Sequence, residues 1–81
     1  MTSEIPDEGG ITDELRKLAS IATDMQLDGK MRNEAVKQLG ELGSHEALLV
    51  LLNLAANDKL NVEERDLALK KARGIVKKGR L

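Results

Sequence analysis

The sequence predicts an all-α domain of four helices, arranged as two stacked copies of one helix-turn-helix unit. Three observations carry this. Leu, Ala, Glu and Lys outnumber Val, Ile and Thr, which favours helix over sheet. Apolar residues recur at helical spacing in four segments separated by turn residues. The chain also matches itself without gaps when shifted by 33 residues.

Residues 1–10 hold the only Pro, a Gly pair and three acids without a base, and they lack periodicity. They are expected to form a disordered acidic leader ahead of a helical domain over residues 11–81. Thr12 is placed to cap the first helix, with Asp13 and Glu14 in a first turn that favours negative charge. Leu15, Leu18, Ala19, Ile21, Ala22 and Met25 then supply one apolar stripe, and Arg16, Lys17, Ser20 and Asp24 lie off it.

Asp28-Gly29 marks a turn, after which Met31, Ala35, Val36, Leu39 and Leu42 form the stripe of a second helix. Gly40 inside that helix costs about 1 kcal/mol relative to Ala, which a close helix crossing would justify. Gly43 suits the position just past the helix, and Ser44 suits the cap of the next. The third helix, His45 to Ala56, is apolar around most of its circumference and is expected to be buried between neighbours. Asn57-Asp58-Lys59 ends it. Asn61 caps a fourth helix, with Glu64 three residues on, as a capping box prefers. Val62, Leu67, Ala68, Leu69, Ala72, Ile75 and Val76 form its stripe, and Gly79 stops it.

The 33-residue shift sets Leu15, Leu18, Ala22, Leu27, Arg32, Ala35 and Lys37 on Leu48, Leu51, Ala55, Leu60, Arg65, Ala68 and Lys70. The matches fall on core positions and on the proposed turns, as two copies of one unit require. The copies also differ: Arg16-Lys17 becomes Leu49-Val50. An interior third helix accounts for that change, and a contact surface at Leu49 and Val50 is the sharper reading. The expected core is Leu18, Ile21, Ala22, Leu39, Leu42, Leu48, Leu51, Leu52, Leu54, Leu69, Ala72 and Ile75.

The run Leu39-Gly40-Glu41-Leu42-Gly43-Ser44-His45-Glu46-Ala47-Leu48 resembles the junction between adjacent HEAT-type repeats, in the short phycobilisome-lyase-like version. Arg32-Asn33-Glu34-Ala35-Val36 resembles the start of the second helix of such a repeat. Ala72-Arg73-Gly74-Ile75-Val76 departs from the Leu-Gly-x-Leu-Gly pattern, as a last, capping helix would. The resemblance covers residues 12–79. It implies a short α-solenoid and a protein-binding scaffold, and it implies no particular partner.

Composition narrows function further. The chain has no Cys, Phe, Trp or Tyr and one His. That removes disulfide frameworks, Cys-based zinc modules and aromatic base-stacking platforms. No apolar run approaches the roughly 18 residues of a membrane helix. The acidic start lacks the basic and apolar regions of a secretory signal. A soluble cytoplasmic protein without membrane attachment is expected.

No catalytic, cofactor or metal constellation emerges. Ser44 and His45 are adjacent on a helix start and cannot face each other as nucleophile and base. His45-Glu46 is similar to the metal-binding His-Glu pairs of HEAT-type deoxyhypusine hydroxylase. Those pairs converge from several repeats, whereas here Thr12-Asp13 and Lys78-Gly79 occupy the equivalent positions. Asp13-Glu14 and Glu63-Glu64 are explained by helix dipoles. From Leu67 to Leu81 there are six bases and no acid, Lys70, Lys71, Arg73, Lys77, Lys78 and Arg80. Dipole complementarity and solvation explain such a run, and a surface for an acidic partner is the functional alternative.

The sequence therefore points to a small non-enzymatic adaptor that binds a protein partner or itself through Leu49 and Val50. The alternative is a nucleic-acid accessory protein using Lys70, Lys71, Lys77, Lys78 and Arg80. Near-zero net charge and the missing aromatics weigh against the latter.

Overall fold

The computed structural model describes residues 9–79, with side chains described from 13 to 78. Four helices account for most of these residues: α1 (Gly9–Thr23), α2 (Gly29–Leu42), α3 (His45–Ala56) and α4 (Val62–Gly79). Among the described residues there is no strand. α1 packs on α2 and α3 on α4. α2 also packs along α4, and α3 touches both α2 and α1.

Local chemistry sets the helix ends. The Asp28 carboxylate accepts from the Met31 amide at 3.0 Å and Ser44 Oγ accepts from the Ala47 amide at 3.1 Å. Asn61 Oδ1 accepts from the Glu64 amide at 2.8 Å. Each satisfies a first-turn N–H that has no helical partner. Gly43 adopts φ 63° and donates its N–H to Leu39 O at 3.4 Å, ending α2 in the left-handed conformation that glycine takes without strain.

The first helix differs from expectation. It begins at Gly9, so Thr12 lies inside its first turn and Asp13 and Glu14 lie beyond it. Its backbone hydrogen bonding starts about one turn before the cap that the sequence offers at Thr12. The leader expected over 1–10 lies outside the described residues up to position 8, and Gly9 and Gly10 belong to α1.

The core joins Leu18 and Ala22 of α1, Ala35, Val36 and Leu39 of α2, Ala47, Leu48, Leu51 and Leu54 of α3, and Ala68, Ala72 and Ile75 of α4, with Leu60 between. Ile21 and Leu42 pack at its edge. Two expected core residues are corrected: Leu52 is 43% and Leu69 38% exposed. The burial of α3 on both sides is corrected with them. Its neighbours α1, α2 and α4 cover one flank, which leaves the flank carrying Leu49 and Leu52 open. Met25 and Met31 sit at stripe spacing yet are half exposed, since Met25 falls in the turn after α1 and Met31 in the first turn of α2.

Gly40 sits where α2 crosses α4. A Cβ there would lie 3.0 Å from Lys71 Cδ and 3.1 Å from Lys71 Cβ. At Gly74, within α4, a Cβ would meet nothing within 4 Å. Gly74→Ala is therefore expected to stabilise the fold by about 0.5–1 kcal/mol through helix propensity. Gly40→Ala should give no such gain, since crowding costs of about 1–3 kcal/mol oppose it. Urea melts of both variants check this, and equal stabilisation would deny the close crossing.

Candidate functional site

The outward face of α4 is determined by what α4 turns inward. Glu64 is 1% exposed and does not close a capping box on Asn61. Its Oε1 accepts instead from Arg32 Nε at 2.8 Å, and Arg32 Nη1 donates to Leu27 O at 2.6 Å. One guanidinium thus ties the α1–α2 connection, α2 and the first turn of α4. With Glu64 inward, Ala68, Ala72 and Ile75 follow at helical spacing toward the core. Leu69, Val76, Lys70 and Lys77 then face outward. The second Glu64 oxygen, Oε2, is buried without a hydrogen-bond partner. The contact is therefore a single charge-assisted bond and not a bidentate fork.

Two grooves flank that outward face. The first runs between α3 and α4, holds about 330 Å³, and is lined by Leu48, Leu52, Leu69, Ala72, Arg73, Val76 and Lys77. Its lining residue Val76 is 47% exposed, and Leu49 on α3 is 49% exposed. The second runs between α2 and α4 and holds about 610 Å³. Lys37, Lys70, Lys71, Lys77 and Lys78 surround it, with Glu41 the one acid on its rim. Gly40, Gly43 and Gly74 lie among them. Lys77 borders both grooves.

The structure therefore brings Lys70, Lys71, Lys77 and Lys78 to one groove and adds Lys37 from α2. Lys71 is half-buried against Gly40, and the other three are exposed. Leu49 is exposed, whereas Val50 is half-buried against the core. Arg80 lies outside the described residues. His45 is exposed at the start of α3. Among the described residues no group of three or more His, Asp or Glu side chains is placed to hold a metal ion. No helix there is long and apolar enough to cross a membrane.

Sequence reasoning missed three parts of this surface. The stripes place Leu52 and Leu69 inside, and the sequence offers Lys37 only as a match to Lys70 under the 33-residue shift. The seven-residue spacing of Val62, Leu69 and Val76 was a visible signal for the open aliphatic line. The Arg32–Glu64 pair had none, because 32 residues separate its members and each fits its own helix as a solvated charge.

Comparison with protein-family models, with curated proteins and with solved structures finds no match, so the functional reading rests on this chain's own geometry.

Proposed function

We propose that the chain is a non-enzymatic protein–protein interaction module built from two stacked HEAT-like repeats. The observation that carries this is the aliphatic side chains left open on one face, Leu49, Leu52, Leu69 and Val76. Contiguous exposed aliphatic surface is a feature of contact sites. The pairing of α1 with α2 and α3 with α4, and the packing of α2 along α4, support the repeat reading. Affinity would come from aliphatic contacts and a basic rim, since the chain offers no aromatic hot spot.

Co-purification of the full chain from its native cell tests the reading, with Leu49→Glu as the control. A partner held by the wild type should be lost at least tenfold in the variant, about 1.4 kcal/mol. Equal recovery from both rejects the contact surface.

The lysine groove favours a second reading, a nucleic-acid accessory protein using Lys37, Lys70, Lys71, Lys77 and Lys78, with Arg80 beyond them. Five phosphate contacts would make binding fall steeply with salt, with a log–log slope of about −4.5 on duplex DNA. Absence of binding at about 20 mM salt, well below physiological ionic strength, removes this reading.

A further inference from the structure

The two ends of the helical stack expose different chemistry. Under the 33-residue shift, α1–α2 maps onto α3–α4. Val36 is fully buried and Gly40 meets the Lys71 side chain, so that side of α2 is covered by α4. Their counterparts on α4, Leu69 and Arg73, border the open aliphatic groove. In the other direction, Lys71 and Ile75 line the groove shared with α2. Their counterparts Gln38 and Leu42 line a groove with Glu14, Glu34, Glu41 and Lys37. One end is dressed in polar side chains, as the terminal unit of a repeat stack is, while the other end is aliphatic.

The aliphatic end has an order that the grooves alone do not reveal. Val62, Leu69 and Val76 are 66, 38 and 47% exposed. A seven-residue step is two helical turns less about 20°, so the three form a line along α4. Asp66 and Arg73 are exposed on the same flank of that line. Turned end for end about Leu69, the line matches itself. Val62 falls opposite Val76 and Asp66 lies beside Arg73, each contact occurring twice, and Leu69 meets Leu69 once, on the axis. Lys77 falls level with Asn61, and Arg65 lies on the other flank. Among the described residues the only ion pair within the chain is Arg32–Glu64, which leaves Asp66 and Arg73 available.

A patch that complements itself under a two-fold rotation is what an isologous interface requires. We propose that the chain forms a two-fold dimer in which α4 packs antiparallel on α4 of a second copy. Leu69 sits on the axis, two Asp66–Arg73 pairs flank it, and Leu52 of α3 closes the contact. The proposal rests on the interaction-module reading and names the occupant of its aliphatic face. Without aromatic anchors the dissociation constant should lie in the micromolar range, roughly 1–100 µM.

Sedimentation equilibrium of the full chain tests this, with circular dichroism to establish that each variant is folded. The wild type should dimerise, and Leu69→Glu should be monomeric because two carboxylates would meet on the axis. Asp66→Arg and Arg73→Asp should each weaken the dimer about tenfold or more, since both flanking pairs become like-charged. An equal mixture of these two variants should recover wild-type affinity as a heterodimer, because every 66–73 contact again joins opposite signs. A wild type that stays monomeric to about 1 mM, where even weak association would register, overturns the proposal. So does a Leu69→Glu dimer of unchanged strength, or a mixture no tighter than its components. A monomeric chain whose native partner is lost on Leu49→Glu would sink the dimer and keep the adaptor reading. A dimer with no other partner would do the reverse.

Discussion

Arg32→Ala is expected to lower folding stability by about 3–5 kcal/mol, because it strands a buried carboxylate. Glu64 is 1% exposed, its Oε2 already lacks a partner, and Arg32 Nε supplies the one bond to Oε1. The variant also frees the Leu27 carbonyl. A loss of this size is comparable to the whole stability of a domain of 81 residues, so the variant should be largely unfolded at 25 °C. The double variant Arg32→Met/Glu64→Leu separates attraction from desolvation. Removing both charges removes both desolvation costs, so it should melt within about 1 kcal/mol of wild type or above it. Thermal and urea unfolding followed by circular dichroism reads both. Wild-type melting of Arg32→Ala would mean that the pair is solvated in solution.

Leu51→Ala should cost about 2–5 kcal/mol, through lost burial and the cavity left behind. Leu51 is fully buried where α3 meets the rest of the core. Its neighbour Leu52 provides the contrast, since it is 43% exposed and borders the open groove. Leu52→Ala should cost under about 1 kcal/mol, in line with its partial burial. Urea melts at a concentration where any dimer is dissociated make the comparison. Equal losses at 51 and 52 would mean that α3 is covered on both sides.

Much of the fold was legible because its signals are local. Asp28, Ser44 and Asn61 accept first-turn amides, and Gly43 turns left-handed, each from chemistry within three or four residues. The helical stripes named Leu18, Ala22, Leu39, Leu48, Leu51, Leu54, Ala72 and Ile75 as core. The stripe of α3 was ambiguous, since its apolar residues cover more of the helix than its neighbours do. Periodicity states which residues can be buried together and is silent on how many flanks receive a neighbour. Leu52 and Leu69 fell on the wrong side for that reason.

The candidate surface divides the same way. Lys70, Lys71, Lys77 and Lys78 were readable as a basic run, because they are close in sequence on one helix. That Lys37 joins them across a groove depends on where α2 crosses α4, which a missing side chain at Gly40 permits.

Four helices, the caps of α2, α3 and α4 and the greater part of the core follow from the order of residues, because caps and stripes are governed by neighbours three and four places away. The rotation of α4 about its own axis is a tertiary matter. Arg32 draws Glu64 inward across a separation of 32 residues, and Lys71 settles over Gly40. Together these contacts turn Leu69 and Val76 to the outside, since burying the Glu64 charge is tolerable only beside the one guanidinium that reaches it.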